Sequence, residues 1–259
     1  MSTPLEKELV LKARQARKLI ALMNTQRQSA HVGTSLSCVE ILLALFAGRN
    51  LNEKILFSKG HGVMALYAVM HLFGEISEKE LQEEYFTNGG RLMGHPSKPH
   101  LPEIAWSTGS LGHGLSVASG MALGNRQQKV YVVLSDGECD LGTTWESVLF
   151  AGHHRLGNLL MVVDVNGLQC SGKTKEVLDL SPLPEKFKSF HWNVFEHDGH
   201  DLMGLLTLIK ENSHFWDLPT VILAQTVKGK GVKDLEGEVR SHFYPLNDQQ
   251  KEELLCGHD

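Results

Sequence analysis

Apolar runs with little polar–apolar alternation constrain the fold of this chain most strongly. The clearest are VYVVL (130–134), NLLMVVDVNG (158–167) and TVILAQT (220–226), and KILF (54–57) and WNVFEHDG (192–199) are shorter candidates. A strand with one face in water alternates polar and apolar residues, whereas a parallel strand covered on both faces does not. Because segments with helical periodicity separate these runs, the sequence predicts an α/β fold with a mainly parallel sheet in a three-layer α/β/α arrangement.

Helical periodicity and end signals occupy the chain between the strands. The predicted helices cover about 5–28, 36–47, 63–74, 110–126, 143–157 and 201–212. We expect Gly74 and Gly157 to end two of them, and Ser77 with Glu80 three residues later predicts a capping box for another helix. No repeat, low-complexity tract or change in composition marks a second domain, so we expect one domain over residues 1–259.

The composition excludes several classes of protein. The net charge is −5 and no run of Lys or Arg stands out, which argues against nucleic acid as a partner. The four cysteines are scattered without Cys-x-x-Cys spacing, so a zinc site or a disulfide framework is not expected. The charged N-terminus has no signal-peptide core, and no apolar run reaches membrane-spanning length. We therefore expect a soluble cytoplasmic protein without membrane contact.

Three acidic residues stand directly after the strand VYVVL. Asp136, Glu138 and Asp140 repel one another, so they need solvent, a basic partner or a bound cation. Asn166 follows the next strand, 166 − 136 = 30 residues later, which is one βαβ unit, so it and Asp136 can meet at the same edge of the sheet. Carboxylate, amide and carbonyl oxygens suit Mg²⁺. The alternative is that Asp136 only caps the helix that follows.

Glycine and histidine recur together in the loops. The loop GSLGHG (109–114) precedes a helix and could hold a phosphate on backbone N–H groups, although it lacks the dinucleotide and P-loop spacings. His61, His95, His113 and His200 each lie next to or near glycine. One such histidine is most simply a solvated loop residue, but several in one chain favour a binding site.

Taken together, these motifs resemble the N-terminal, thiamine diphosphate-binding domain of transketolase. The stretch from Ser135 to Gly167 is similar to that family's coenzyme signature, above all in HHRLGNLLMVVDVNG. Around it, in family order, stand AHVG (30–33), SKGHG (58–62), MGHP (93–96), STGSLGHG (107–114), TVKGKG (226–231) and SH (241–242). The resemblance covers nearly the whole chain and implies the thiamine diphosphate-binding fold, in its diphosphate-binding form.

The resemblance also implies roles for particular residues. Asp136, Asn166 and the backbone carbonyl of Leu168 would hold Mg²⁺ against the coenzyme diphosphate. The residues expected to contact thiamine diphosphate are His61, Gly109, Leu111, His113, Gly137 and Asn166. The residues expected to act in catalysis, by binding substrate hydroxyls and assisting proton transfer, are His31, His61, His95 and His242.

Two domains of a complete transketolase have no counterpart here. These are the pyrimidine-binding domain, whose glutamate activates the coenzyme, and the C-terminal domain. The resemblance therefore implies the N-terminal subunit of a split transketolase, active only with a C-terminal partner subunit, in an expected α2β2 heterotetramer. The reaction would transfer a two-carbon ketol unit from a ketose donor to an aldehyde acceptor, with ketose and aldose sugars as substrates.

Some positions depart from the family pattern. Ser135 replaces a glycine, and Val32 replaces a proline after His31. Leu141 replaces a glutamate that meets the other protomer, and Val165 replaces an acidic residue.

Two other functions stay open. One alternative is the α subunit of a 2-oxoacid dehydrogenase, which would release CO₂. The other is a non-catalytic paralogue that binds the coenzyme or a partner as a scaffold.

Overall fold

A parallel five-stranded sheet forms the centre of the protein. The computed structural model describes residues 3–211 and 217–256. The strands are β1 (Lys54–Phe57), β2 (Val130–Ser135), β3 (Leu159–Val165), β4 (Asn193–Asp198) and β5 (Thr220–Gln225), in the spatial order β1-β2-β3-β5-β4. Every neighbouring pair is parallel. The sheet therefore has the parallel architecture that the uninterrupted apolar runs predict.

Helices cover both faces of this sheet. They are α1 (Pro4–Arg27), α2 (Val32–Ser37), α3 (Val39–Gly48), α4 (Val63–Leu72), α5 (Glu78–Glu83), α6 (Gly114–Gly124), α7 (Gly142–His153), α8 (Thr174–Val177), α9 (Leu183–Ser189), α10 (Leu202–Glu211) and α11 (Asp248–Cys256). Short 3₁₀ turns occur at Gly60–Gly62, Asp136–Asp140 and Val239–His242. No helix within residues 3–211 and 217–256 is long and apolar enough to cross a membrane.

Two hydrophobic cores lie on opposite faces of the sheet. On β2, Tyr131 and Val133 belong to the core that packs against α1, α3, α4 and α10, whereas Val130, Val132 and Leu134 belong to the core that packs against α6, α7 and α9. Side chains of a strand point alternately to the two faces, so both faces of β2 are buried. This confirms the three-layer α/β/α prediction and explains why the strand shows no polar alternation.

Several helix boundaries differ from the prediction. The helix expected over 36–47 begins earlier and is divided at Cys38, where the Ser37 hydroxyl and the Cys38 thiol both turn back to the Thr34 carbonyl, at 3.0 and 3.4 Å. The helix expected over 110–126 begins only at Gly114. The helix expected to end at Gly157 ends at His153, because Arg155 already has the left-handed φ of 49°.

Other signals are confirmed. Ser77 and Glu80 form the capping box, with reciprocal hydrogen bonds of 3.2 and 2.8 Å at the start of α5. Gly74, with φ of 77°, follows the end of α4. The helix predicted over 201–212 is α10, and residue 212 lies outside the described part of the chain. The sequence did not predict α8, α9 or α11.

Candidate functional site

A cleft of about 250 Å³ lies at the carboxyl ends of β2 and β3. It brings together most of the predicted site residues: His31, His61, His95, Gly109, Leu111, Asp136, Gly137, Asn166, Leu168 and His242. His113 is the exception, because its exposed side chain lies at the start of α6, outside the cleft lining. Ligands of open parallel sheets bind at this edge, so the cleft is the place where binding chemistry is expected.

Asp136 is the carboxylate of this cleft. Gly137 donates its N–H to Oδ1 at 2.9 Å, and Gly167 in the loop after β3 donates to Oδ2 at 2.7 Å. Burial, and then the nearby charge of Asp164, raise the pKa of Asp136 to about 7. The first hydrogen bond lies within the 3₁₀ turn that Asp136 begins, but the second crosses to the neighbouring strand's loop. Asp136 therefore connects the turn after β2 with the loop after β3.

Asn166 and Leu168 place two more oxygen atoms at the same cleft. The Leu168 N–H donates to Asn166 Oδ1 at 3.1 Å, and the Leu168 carbonyl accepts from Lys228 Nζ at 3.3 Å. The described residues contain no group of three or more His, Cys, Asp or Glu side chains that could hold a metal. A cation here would therefore depend on a mixed set of carboxylate, amide and backbone carbonyl oxygens, which is a set that Mg²⁺ accepts.

Glu138 is buried outside the cleft lining and connects neighbouring segments. Its buried carboxylate accepts hydrogen bonds from the Ser58 hydroxyl, from the Gly112 N–H at 3.0 Å and from the Ser135 N–H at 2.9 Å. Gly112 has φ of 80°, and a Cβ there would lie 2.7 Å from a Thr143 oxygen, so only glycine fits. Glu138 therefore fixes the glycine loop to the end of β2.

The three acidic residues after β2 thus have separate environments. Asp136 faces the cleft, Glu138 faces inward, and Asp140 accepts a hydrogen bond from the Gln169 side chain. The three carboxylates therefore have different hydrogen-bond partners. Of the three, only Asp136 accepts all its hydrogen bonds from backbone N–H groups and lines the cleft, so it alone keeps the features of a cation ligand.

Four imidazole rings form a cluster on one side of the cleft. His31 is central, with ring centroids 5.8 Å from His61, 5.9 Å from His95 and 4.7 Å from His242. The backbone of His31 has the left-handed φ of 70°, and its N–H donates to the His242 carbonyl at 2.9 Å. Residues 31 and 242 are therefore held together by the backbone as well as by their rings.

Burial keeps these rings neutral. It lowers the pKa of His31, His61, His95 and His242, and the positive charge of Lys228 lowers the pKa further for three of them. The pKa of His242 falls to about 3. Each ring therefore offers one N–H donor and one acceptor nitrogen near pH 7, which suits binding of neutral hydroxyl groups and proton transfer with them.

Two buried lysines belong to this region, Lys228 in the lining of the cleft and Lys59 outside it, and the sequence did not predict either. Lys59 forms an ion pair with Asp164 with no solvent exposure and donates to the Thr34 carbonyl at 3.1 Å. Lys228 is 2% exposed, and burial and then Lys59 lower its pKa to about 8. Both lie in motifs that contribute to the family resemblance, namely SKGHG and TVKGKG. The sequence signal that could have indicated their burial is a lysine next to apolar or glycine residues.

The comparisons with known proteins identify the family of this chain. Residues 11–255 match the family model "Transketolase, thiamine diphosphate binding domain". A 6-deoxy-6-sulfo-D-fructose transketolase subunit from Clostridium sp. (strain MSTE9) is 36% identical over 233 residues, covering 85% of this chain and 84% of that protein. An apulose-4-phosphate transketolase subunit from Phocaeicola vulgatus is 32% identical over 261 residues, covering 95% of this chain and 92% of that protein.

Solved structures give the same answer for the fold. The crystal structure of transketolase from Campylobacter jejuni superposes with a TM-score of 0.88 at 27% identity. The match covers 100% of this chain but only 44% of the Campylobacter chain, so this chain spans less than half of that transketolase. The chain is therefore a transketolase-type subunit: it belongs to the transketolase family, and its residues 11–255 correspond to the family's thiamine diphosphate-binding domain.

Proposed function

We propose that this chain is the N-terminal subunit of a split, Mg²⁺-dependent transketolase that transfers a two-carbon ketol unit from a ketose to an aldehyde acceptor. One observation carries the proposal: four neutral imidazoles share a single cleft with the oxygen atoms of Asp136, Asn166 and Leu168. The relatives of comparable length support it, because they are named as subunits of transketolases.

Asp136, Asn166 and the Leu168 carbonyl would hold Mg²⁺. The fit rests on Asp136, a buried carboxylate whose hydrogen bonds come only from the N–H groups of Gly137 and Gly167, so that a cation would supply the missing positive charge. Among the described residues, the ion pairs do not include Asp136. The Leu168 carbonyl already accepts from Lys228, and its second lone pair remains for a metal.

Gly137, Gly109, Leu111 and His61 would contact the coenzyme, since all four line the cleft. A side chain at position 137 would press on Gln169, which a Cβ would approach to 3.3 Å. Thiamine diphosphate, when bound, supplies a nucleophilic carbon for cleaving and forming the ketose carbon–carbon bond. The coenzyme contact of His113 stays a prediction, because its side chain lies outside the cleft.

His31, His95 and His242 would bind the hydroxyl groups of the sugar. Their rings surround one space, and their lowered pKa values keep the rings neutral at pH 7. His31 and His95 then each offer an acceptor nitrogen, whereas His242 Nδ1 accepts from Lys228 and its other nitrogen is left to donate. Such a nitrogen can take a proton from a substrate hydroxyl, and the same ring can later return it. His61, the most deeply buried of the four, would serve both the coenzyme and this proton transfer.

The proposal requires a partner chain. None of the residues lining the cleft in the described part of the chain is a glutamate, and the nearest one in sequence, Glu138, is committed to backbone and hydroxyl donors. The glutamate that activates the coenzyme would come from a pyrimidine-binding domain on a C-terminal subunit. We propose an α2β2 assembly with the coenzyme between the two kinds of chain.

The test is reconstitution with the partner subunit. The chain alone, the partner alone and the pair are assayed for ketol transfer between ketose and aldose phosphates or sulfonates, and for CO₂ release from 2-oxo acids. We expect transfer only from the pair, dependent on thiamine diphosphate and Mg²⁺, and no CO₂. Turnover by the chain alone would contradict the partner requirement. Release of CO₂ would favour a 2-oxoacid dehydrogenase, and absence of coenzyme binding by the pair would favour a scaffold.

A further inference from the structure

A buried carboxylate outside the cleft joins two elements that hold the same loop. Glu40, on α3, receives a bidentate hydrogen bond from Arg17 of α1, at 2.6 and 3.0 Å. His200, in the turn between β4 and α10, places its Nδ1 3.0 Å from the same carboxylate. Burial would raise the pKa of Glu40, but Arg17 and His200 lower it to about 2, so the carboxylate is charged at neutral pH.

Both partners of Glu40 also hold the segment 226–231, which carries Lys228. The Val227 N–H donates to His200 Nε2 at 2.9 Å, and Arg17 Nε lies 3.4 Å from the Lys230 carbonyl. Because Nε2 accepts a hydrogen bond, it carries no proton, so the proton of the neutral ring is on Nδ1 and is donated to Glu40. The carboxylate thus fixes the tautomer of His200 that the loop requires.

The turn that carries His200 is packed closely on the same segment. Gly199 donates its N–H to the Gln225 carbonyl at 2.7 Å, and a Cβ on Gly199 would lie 2.3 Å from a Thr226 methyl carbon. A larger residue at 199 would push this turn away from the loop. Close packing of the Gly199 backbone on residues 225 and 226 therefore holds His200 beside Val227.

Inside the cleft, Lys228 makes two contacts that depend on the position of its loop. Its Nζ lies 3.3 Å from the Leu168 carbonyl and 3.3 Å from His242 Nδ1. The next residue, Gly229, donates to the Gly33 carbonyl at 2.9 Å, beside the segment that carries His31. A shift of the loop would therefore change the surroundings of the oxygen set and of the imidazole cluster together.

We infer that Arg17, Glu40 and His200 form a positioning bracket that holds the loop 226–231, and through it Lys228, in the geometry that coenzyme binding needs. None of the three lines the cleft, so their role is to position other residues. The part of this inference that concerns the coenzyme rests on the function proposed above.

Two substitutions at position 200 separate the contact of the bracket with the Val227 N–H from general packing. His200→Gln places an amide oxygen near the position of Nε2, where it can still accept from Val227, whereas His200→Asn reproduces only the position of Nδ1. In the full chain with its partner, without coenzyme, amide exchange of a peptide covering 226–231 is followed by mass spectrometry. We expect exchange about tenfold faster in His200→Asn, the order of one lost hydrogen bond, and within about twofold of the wild type in His200→Gln. Exchange in β5 and α4 should not change.

The same variants are then titrated with thiamine diphosphate at saturating Mg²⁺. We expect the Kd to rise about tenfold for His200→Asn and to stay within about twofold for His200→Gln. Equal exchange and affinity in both variants and the wild type would overturn the bracket. If the wild type binds no coenzyme while loop exchange still separates Asn from Gln, the proposed function fails and the bracket stands.

A measurement on the wild type avoids any variant that fails to fold. In protein labelled with ¹⁵N-histidine, the nitrogen shifts of His200 report which ring nitrogen carries the proton, with His200→Gln used to assign the signal. We expect the neutral form to be protonated at Nδ1, which is the nitrogen facing Glu40. A ring protonated at Nε2 could not accept from Val227 and would overturn the inference.

Discussion

Two aspartates on neighbouring strands of the sheet have opposite environments. Asp164, in β3, is fully buried and accepts hydrogen bonds from Lys59, Ser37 and Thr226. Asp136, directly after β2, accepts only from backbone N–H groups. Although burial opposes ionisation, Lys59 and the hydroxyl donors lower the pKa of Asp164, whereas the pKa of Asp136 rises to about 7.

The difference separates Asp164, whose cationic partner is a side chain of the same chain, from Asp136, which accepts hydrogen bonds only from backbone N–H groups. Residues 135 and 164 are opposite each other in the sheet, so both aspartates lie near its carboxyl edge. The cation for Asp164 is built into the fold as Lys59, and that pair has no access to the cleft. Asp136 lines the cleft, and a metal with its coenzyme diphosphate would complete its environment.

The largest effect is expected at the inner pair. Asp164→Asn leaves the Lys59 ammonium buried without its counter-charge, which typically lowers the free energy of unfolding by about 3–5 kcal/mol. Urea unfolding of the unliganded chain at pH 7 measures the change. Glu185→Gln, which breaks the exposed pair with Lys188, is the matched control and should cost less than about 1 kcal/mol. A loss at Asp164 no larger than the control's would mean that the inner pair is not required.

A double substitution tests whether the unpaired charge causes this loss of stability. Replacing both partners, as Lys59→Met with Asp164→Leu, removes the unpaired charge and should recover most of the stability that Asp164→Asn loses. Because Lys59 also lowers the pKa of His61, Lys228 and His242, the double variant should recover stability without recovering normal activity. Unchanged activity would show that the inner pair serves stability alone.

At the outer carboxylate we expect a loss of binding with little loss of stability. Asp136→Ala removes the only anionic ligand of the proposed Mg²⁺ site, so Mg²⁺-dependent affinity for thiamine diphosphate should fall by roughly 100-fold or more. Calorimetry on the reconstituted pair measures it. Glu146→Ala, an exposed carboxylate on α7, is the control and should bind like the wild type. Unchanged binding in Asp136→Ala would refute the metal assignment.

The smallest effect concerns the pH dependence of stability near the cleft. The folded-state pKa of His242 is about 3, below its unfolded value, so the unfolded chain binds the proton more readily as pH falls below about 6.5. Stability should therefore decrease between about pH 6.5 and pH 3, and His242→Gln should make that decrease shallower. Unfolding at pH 7.5 and at pH 5 for both proteins gives the comparison. Equal decreases would contradict a neutral, buried His242.

The sequence predicted the strands and the cleft better than the helix ends. VYVVL and LLMVV identified β2 and β3 because both faces of these strands are buried, and Asp136 and Asn166 follow them at one edge by topology. The divided helix at Cys38 depends on hydroxyl and thiol contacts to one carbonyl, which no periodicity reports.

Buried charges were the least predictable part of the site. Lys59 and Lys228 look like ordinary surface residues in the sequence, and only the packing of distant segments shows that they are enclosed. Among their partners, Asp164 lies 105 residues from Lys59 and Leu168 lies 60 residues from Lys228 along the chain. The glycine-rich motif gave no sign that His113 is exposed at the start of α6, outside the cleft lining, and its coenzyme contact stays a prediction.

The backbone contact between His31 and His242 has a consequence for folding. It joins positions 242 − 31 = 211 residues apart, and the first strand pair, Lys54 with Val130, already spans 130 − 54 = 76 residues. Contacts of such long range form slowly, because the entropy of closing the loop is lost before the contact is made. We therefore expect the imidazole cluster to form late in folding, and we expect a ligand that bridges it to slow global unfolding of the chain instead of protecting a local segment.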